Sequence, residues 1–574
     1  MRYMVLAAAI GGLALAGCSQ PADETTTDAA THAADTTTET HAAAFQPAVM
    51  PTTGDINEAD LRYRISTLAD DGFEGRAPAT PGGMAASQWV ADEMARIGLE
   101  PGYQGSYFQP VSLLEVTLDT ASSNFDVLFN GAPLDLRMGD DIVYWTKLNQ
   151  PEVSVADSDL VFVGYGVVAP EYGWDDYAGV DVTGKTVVML VNDPGYANPD
   201  SGLFNGNAMT YYGRWTYKYE EAARQGAAAV ILIHQTAPAS YGWNVITGSW
   251  SGSQLDLARA PGEGTFAEVE SWVTEDIARH LFELSGLDFN TLTASAAQPG
   301  FTAVPMTGLS AGGTLHNTTR TMDSRNVVGV VRGTERPDEY VLYTGHWDHL
   351  GRRDVPEGED GIYNGAVDNA SGTAAILEIG EAFVANPPER SVMVIAVTAE
   401  ESGLLGSAYY GAHPVVPFSQ TVGGINIDAI MPVGPSNDVV VVGFGASELE
   451  DILAEEAALQ GRHLAPDPNP SAGSFYRSDH ISIAKHGVPM LYSEGGTDLV
   501  DGGTAAGEAA GEDYTVNRYH APSDQYSPDW RMDGMTQTVT LLYDVGAQLA
   551  NSDAWPNWYE GNEFRALRDA QRGN

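Results

Sequence analysis

Acidic and imidazole side chains follow apolar, strand-like segments in the second half of the sequence. EYVLYTG leads into His346, Asp348 and His349, and SVMVIAVTA leads into Glu400 and Glu401. Each group alone is weak evidence, because a single histidine is usually structural and an acidic pair usually faces solvent. Together they are informative, because charged groups at the end of a buried strand need a partner of opposite charge or a metal ion.

Three further segments have the same character. GGINI precedes Asp428, the turn YNGAVDNASG contains Asp368, and RYHAPSDQ supplies Tyr519, His520 and Asp524. In open α/β sheets, ligands bind beyond the carboxyl ends of the strands, so we expect these side chains to meet there. Gathered carboxylates and imidazoles would need a divalent cation, and this mixture of donors suits Zn²⁺.

The elements that position these residues are predicted from hydrophobic periodicity. From about residue 325, apolar strands alternate with amphipathic helices, which predicts an α/β fold with a largely parallel sheet covered on both faces. The predicted strands are 325–333, 339–346, 391–400, 423–431, 438–444 and 488–495. The predicted helices are 55–71, 81–102, 371–386, 447–461 and 534–551.

The region between about 135 and 300 differs in composition and in its pattern of predicted elements. Short β-rich segments occur at 159–168, 185–193 and 227–234, with a helix-like segment at 217–226. The connections are rich in Gly, Pro, Tyr and Asp, which is typical of turns. We therefore predict a separate α/β or β-rich insert at 136–304.

The charged segments resemble those of the M28-type zinc aminopeptidase family. The matching segments, in order, are GHWDHLG (345–351), GAVDNASG (365–372), TAEESGLLGS (398–407), NIDAIM (426–431), RSDH (477–480) and YHAPSD (519–524). LADDGFEGR (68–76) resembles the family's N-terminal region. The resemblance implies a three-layer α/β/α zinc-exopeptidase domain built from 55–135 and 305–552. Residues 162–191 and 218–234 resemble a protease-associated (PA) domain, which implies that the insert shapes substrate access.

The resemblance also implies two Zn²⁺ ions per chain. His346 and Asp428 would hold one ion, and Glu401 and His520 the other. Asp368 would bridge both ions. A water between the two metals would then attack the scissile carbonyl of a peptide.

Three other residues receive catalytic roles from the same resemblance. Glu400 would be the general base, which takes a proton from this water and delivers it to the leaving amine. Asp348 would orient the first metal site without binding the metal. Tyr519 would donate its hydroxyl to the tetrahedral oxyanion.

The predicted reaction is removal of N-terminal residues from peptides, and three alternatives are weighed against it. A carboxypeptidase or dipeptidase of the same family stays open, because Arg477 could supply the cationic group that it needs. A glutaminyl-cyclase-like transferase would not need two metals and does not explain the insert. A catalytically inactive, receptor-like relative is disfavoured because the ligand positions and Glu400 all hold suitable residues.

Length and charge limit the remaining possibilities. The chain has 574 residues, which allows about three domains. Its formal net charge of −49 argues against partners with negatively charged surfaces, namely nucleic acid and anionic lipid. The single cysteine, Cys18, cannot form an internal disulfide. The sequence does not predict an oligomeric state.

The N-terminal segment predicts export and lipid attachment. An apolar segment at 4–16 leads into Leu15-Ala16-Gly17-Cys18, which resembles the lipobox of bacterial lipoproteins. We therefore predict a signal peptide at 1–17, lipidation of Cys18 and a polar tether at 18–54. The expected location is the bacterial cell envelope, and Ser19 is compatible with the outer membrane. The polar segment 553–574 is predicted to be a peripheral tail.

Overall fold

The computed structural model describes residues 45–573 except 251, 261 and 262. The predicted signal peptide, Cys18 and most of the predicted tether lie outside these residues. Within the described ranges, no helix combines the length and the apolar character needed to cross a bilayer. The described residues from Phe45 onward form one compact unit. The division into a catalytic domain and a PA insert stays a prediction.

The structure contains both helices and strands throughout. The strands are β1 (Glu100–Pro101), β2 (Phe108–Leu118), β3 (Asn124–Phe129), β4 (Ala132–Pro133), β5 (Ile142–Trp145), β6 (Glu152–Phe162), β7 (Val168–Ala169), β8 (Trp174–Asp175), β9 (Thr186–Leu190), β10 (Ala229–His234), β11 (Ser253–Leu257), β12 (Val269–Thr274), β13 (Val304–Val331), β14 (Arg336–His346), β15 (Gly351–Arg352), β16 (Ile362–Tyr363), β17 (Arg390–Val397), β18 (Thr421–Asn426), β19 (Asp438–Val441), β20 (His463–Pro466) and β21 (Met490–Tyr492). The helices are α1 (Glu58–Leu68), α2 (Pro81–Ile97), α3 (Pro194–Ala197), α4 (Trp215–Arg224), α5 (Thr236–Ala239), α6 (Trp243–Ser249), α7 (Glu275–Leu284), α8 (Phe289–Ala296), α9 (Gly372–Ala385), α10 (Leu405–Ala412), α11 (Leu449–Leu459), α12 (His480–Ala484), α13 (Gly503–Asn517), α14 (Asp533–Ala550) and α15 (Arg565–Arg572).

The C-terminal half is built on a sheet with the order β21-β18-β14-β17-β13. The first four of these strands are parallel, and β13 runs antiparallel to β17. The sheet is therefore parallel where the predicted site residues lie, as the sequence pattern indicates, and antiparallel at β13.

Both faces of this sheet are covered by helices, which is the predicted three-layer arrangement. In β17, Val392 and Val394 pack with α1, α2, α9 and α14, while Met393 and Ile395 pack on the other face with α10 and α12. This alternation explains why β17 is apolar at every position from Val392 onward, since both faces of the strand are buried.

A second group of strands, β6-β9-β10-β12-β5, continues from β13 in the insert region. Here β6, β9, β10 and β12 are parallel, and β5 is antiparallel to β12. β13 serves both groups. Its residues 304–316 pair with β3 and β6, its residues 317–327 pair with β2, and its residues 327–331 pair with β17.

Two expectations from the sequence are wrong. The segment 438–444 does not join the main sheet, because β19 pairs with β20 in a separate two-stranded sheet. The segment after 553 is not peripheral, because Trp558 is fully buried and Arg568 donates hydrogen bonds to the carbonyls of Thr421 and Val422. The Arg568 guanidinium anchors this polar segment to β18, and the Trp558 indole donates a hydrogen bond to the Gly487 carbonyl.

Candidate metal centre

Three adjacent strand ends bring the predicted site residues together. β14 ends at His346, β17 is followed by Glu400 and Glu401, and β18 is followed by Asp428. β14 pairs in parallel with both β17 and β18, so the three carboxyl ends meet at one edge of the sheet. Asp368 reaches the same edge from the turn before α9, and His520 from the turn after α13.

The five predicted ligands form two groups that share Asp368. In the first group, His346 Nε2 lies 3.2 Å from Asp368 Oδ1 and 3.2 Å from Asp428 Oδ1. In the second group, His520 Nε2 lies 3.2 Å from Asp368 Oδ2 and 3.0 Å from Glu401 Oε2. Each oxygen of Asp368 therefore faces a different imidazole.

His349 lies beside the second group. Its Nδ1 is 2.5 Å from Glu401 Oε1, and His349, Asp368 and Glu401 have possible ligand atoms within 4.8 Å of one another. Glu401 thus contacts His520 with one oxygen and His349 with the other. His349 is fully buried, which fits a residue that holds Glu401 in place from behind.

Glu400 and Asp348 sit beside the two groups. The Glu400 backbone N–H donates a hydrogen bond of 3.2 Å to Asp348 Oδ1, so Asp348 fixes the main chain that carries Glu400. His346 Nδ1 lies 3.2 Å from the Asp348 carbonyl oxygen and 3.9 Å from its carboxylate. Asp348 therefore contacts His346 mainly through its backbone.

A hydrogen-bonded chain supports Asp428. Ser478 Oγ donates to Asp428 Oδ2 at 2.6 Å, Asn426 Nδ2 donates to Ser478 Oγ at 2.7 Å, and Thr344 Oγ1 donates to Asn426 Oδ1 at 2.7 Å. These contacts leave Asp428 Oδ1 directed at His346. Support of this kind from groups behind the ligands is usual in metal sites.

The turn that carries Asp368 is held from two sides. Asp524 accepts hydrogen bonds from the backbone N–H groups of Val367 and Asp368. Arg76, also fully buried, donates to the carbonyls of Trp347, Asn364 and Gly365. Arg76 therefore ties the N-terminal region to both the turn and the end of β14.

The charges in this cluster attract a cation strongly. Although burial lowers the pKa of His520, Glu401 and Asp368 raise it to about 10. Burial raises the pKa of Asp348 to about 7 and that of Glu400 well above its usual value, and the carboxylates of Asp428 and Glu401 add to the effect on Glu400. The buried Asp348 Oδ2 also has no hydrogen-bond partner. Buried carboxylates and imidazoles with excess negative charge fit Zn²⁺.

Tyr519 and Arg477 lie at the edge of the cluster. The Tyr519 ring stacks on His520 with centroids 3.9 Å apart, and the residue as a whole is 48% exposed. Arg477 directly precedes Ser478, but its guanidinium donates to Ser240 Oγ at 2.8 Å and lies over the Tyr241 ring. Arg477 thus connects the metal cluster to the insert.

The structure brings all eight predicted site residues to one place, and it adds supporting residues that sequence reasoning did not single out. Ser478 and Arg76 fall inside segments that resemble the family, RSDH and LADDGFEGR, so a signal for them existed. Asn426 falls inside NIDAIM, so it had the same signal. Thr344 carried no such signal, because it is a polar residue inside a strand that otherwise looks like ordinary core.

Comparison with known proteins gives a consistent family match. Residues 326–543 match the sequence profile of Peptidase family M28. A segment of 81 residues is 41% identical to a "Probable zinc metalloprotease" of Pyrenophora teres f. teres (strain 0-1), covering 14% of this chain and 17% of that protein. A segment of 121 residues is 33% identical to "Aminopeptidase NAALADL1" of Mus musculus, covering 20% of this chain and 15% of that protein.

Other relatives carry a different name. A segment of 123 residues is 32% identical to a "Glutamate carboxypeptidase 2 homolog" of Caenorhabditis elegans, covering 20% of this chain and 14% of that protein. The matched segments thus span less than a fifth of the length of these relatives. Among solved structures, an aminopeptidase from Aneurinibacillus sp. strain AM-1 is 18% identical, with a TM-score of 0.47, and the match covers 87% of this chain and 95% of that chain.

Proposed function

We propose that this chain, whose residues 326–543 match the profile of Peptidase family M28, is a zinc-dependent exopeptidase that removes N-terminal residues from peptides. The observation that carries the proposal is the pair of ligand groups joined by Asp368, whose two oxygens face His346 and His520 at 3.2 Å each. A carboxylate shared in this way is what two neighbouring metal ions require.

The residues present fit two Zn²⁺ ions. His346 and Asp428 would hold one ion, Glu401 and His520 the other, and Asp368 both. When bound, the ions would polarise the scissile carbonyl and make water more acidic. Ser478 and His349 would keep Asp428 and Glu401 in orientation through the contacts described above.

Glu400 would move the proton. Its carboxyl is not needed as a metal ligand. Its raised pKa suits a residue that accepts a proton from the attacking water and then gives it to the leaving amine. The hydrogen bond from its backbone N–H to Asp348 fixes its position at the strand end. Tyr519 would donate its hydroxyl to the oxyanion of the tetrahedral intermediate.

The acidic character of the cluster supports recognition of a free α-ammonium group. Besides the ligand carboxylates, the nearby side chains of Glu400, Asp348 and Asp479 are acidic. A substrate ammonium group would be stabilised in these surroundings. This favours an aminopeptidase within the family.

A second candidate is removal of C-terminal residues, which one observation favours. The Nε atoms of Arg477 and Arg214 are both buried without a hydrogen-bond partner. Burial and the neighbouring charge of Arg477 lower the pKa of Arg214 to about 10. Two neighbouring arginines in this arrangement could bind the carboxylate of a peptide C-terminus.

The two candidates are separated by blocking one end of the substrate. The metal-loaded enzyme is given aminoacyl-anilides with a free or an N-acetylated amine, and dipeptides with a free or an amidated carboxylate, each with and without a chelator. Chelator-sensitive cleavage only when the amine is free supports the aminopeptidase. Cleavage that requires a free carboxylate but not a free amine supports the carboxypeptidase. Turnover that the chelator does not reduce contradicts both candidate functions.

We also propose that the protein is attached to the bacterial cell envelope by a lipid on Cys18. The support is the sequence around that residue, an apolar segment that ends in Leu15-Ala16-Gly17-Cys18. Peptide substrates would then reach the metal centre outside the cytoplasm.

A further inference from the structure

A cavity of ≈ 220 Å³ begins at the residues that directly follow the predicted ligand Asp428. Ala429, Ile430 and Met431, which directly follow Asp428, form one wall. That wall is fixed, because the Ala429 backbone N–H donates to Asn369 Oδ1 and the Ile430 N–H donates to Ser371 Oγ. The cavity therefore keeps a defined position relative to the ligands.

The cavity is apolar along its sides and acidic at two points. Met431, Val440 and Val442 supply apolar surface, and Glu494 and Asp467 are its ionisable residues. No basic side chain is present among the described residues that line it. The nearby Arg531 approaches Gly434 but is paired with Asp501 and Asp533, so it does not neutralise the acidic groups.

Glu494 is held by neutral and acidic neighbours. Its Oε1 accepts a hydrogen bond of 3.2 Å from the Tyr492 hydroxyl, and its backbone N–H donates to the Val440 carbonyl. Burial and the negative charges of Asp428 and Asp467 raise its pKa to about 7. A cation entering the cavity would find the Glu494 carboxylate already held in place by the Tyr492 hydroxyl.

We propose that this cavity receives a lysine or arginine side chain of the substrate residue whose carbonyl is attacked, with Glu494 binding the cationic end. The methylene stem of such a side chain would pack on Met431, Val440 and Val442, while its charge would reach the carboxylate at the far side. This inference rests on the proposed peptidase function and adds a preference for basic residues to it.

The test compares two substrates that differ by one charged group. Lysine p-nitroanilide and norleucine p-nitroanilide have the same four-carbon stem and the same free α-amine, and only lysine carries a side-chain ammonium group. We expect the zinc-loaded protein to show a kcat/KM at least tenfold higher for lysine. In Glu494→Gln, we expect this ratio to fall to about one.

A charge-matched control is Glu512→Gln, which removes an exposed carboxylate from α13, a helix that lines the cavity through other residues. This variant should keep the lysine preference. A wild-type ratio near or below one overturns the inference without any variant, and so does a lysine preference that survives Glu494→Gln. If neither substrate is cleaved by the zinc-loaded protein, the proposed function fails; if both are cleaved equally, only the inference about the cavity fails.

Discussion

A substitution of Glu400 should lower turnover without changing metal binding. Its carboxyl lies beside the ligand groups but is assigned to neither, so Glu400→Gln should leave the zinc content near two ions per chain. Loss of the proton acceptor should lower kcat by at least about 10²-fold. Elemental analysis and steady-state kinetics on the same preparation check this, and near wild-type turnover would exclude Glu400 as the general base.

Asp368 is the residue on which both metals should depend. Its two oxygens face His346 and His520 separately. Asp368→Asn should therefore reduce the occupancy of both sites, whereas Asp428→Asn should reduce mainly one. Metal titration followed by elemental analysis distinguishes the two patterns, and full retention of zinc in Asp368→Asn would show that this residue does not bridge.

His480 gives a prediction about stability and pH. It is fully buried between the rings of Phe475 and Tyr492, and burial lowers its pKa to about 3 from the usual 6.5 of histidine. Because the folded state disfavours the charged imidazole, stability is complete above pH 6.5 and is lost as the pH falls below it. As the pH falls from 7 to 5, protonation of this residue in the unfolded state should lower the free energy of unfolding by roughly 2 kcal/mol.

The variant His480→Phe removes this titration while it keeps an aromatic ring. Its unfolding free energy, measured by urea denaturation, should fall less than that of the wild type between pH 7 and pH 5. His280→Gln, a change at an exposed position of α7, serves as the control and should follow the wild type. An identical pH dependence in His480→Phe and wild type would contradict the prediction.

The sequence predicts which residue types meet at the metal centre better than it predicts their surroundings. His346, Glu401 and Asp428 follow apolar strands, and that local pattern is visible in the sequence. The burial of His480 and the contact between His349 and Glu401 arise from tertiary packing, which no local pattern reports. The roles assigned to the cluster stay predictions until the variants are measured.

Among the structural elements, the segment 347–349 and the turn around Asp368 are linked by one side chain, that of Arg76. Arg76 donates to the carbonyls of Trp347, Asn364 and Gly365, and a lysine could not reach all three. Arg76→Lys should therefore weaken zinc affinity by about tenfold or more through misplaced ligands. Competition with a chromogenic chelator measures this.

The control for Arg76→Lys is Arg62→Lys on α1. Arg62 donates to the carbonyls of Pro528 and Trp530, away from the ligand turns. Its replacement should leave zinc affinity unchanged. Equal losses of affinity in the two variants would mean that Arg76 acts only on general stability.

Elements with a strong hydrophobic period are those that the sequence predicts well. β14, α9 and α14 lie within one to three residues of their predicted bounds. α13 was missed because its sequence, GTAAGEAAGEDYTVN, has three glycines and little apolar periodicity. Gly507 explains part of this composition, since a Cβ there would lie 2.1 Å from the Thr497 carbonyl oxygen. Close packing of a weak helix is a tertiary effect that periodicity does not capture.

For the whole molecule, the N-terminal segment predicts where the protein is found. Cys18→Ser removes the thiol that would carry the lipid, so the protein should move from the membrane fraction to the soluble periplasmic fraction. Immunoblots of fractionated cells measure the shift, with wild type and Ser19→Ala processed in parallel. Unchanged membrane association of Cys18→Ser would argue against lipid attachment at this position.

β13 has a mechanical consequence for the whole molecule. Because residues 304–316 pair in one strand group and 317–331 in the other, the chain passes between them without a flexible connector. Any swing of the insert over the metal centre must bend a strand that is hydrogen-bonded on both sides of the crossing. If the chain is cleaved in the turn 119–123, the two fragments should still migrate together in native gels. The reason is that the intact β13 remains hydrogen-bonded to strands of both groups.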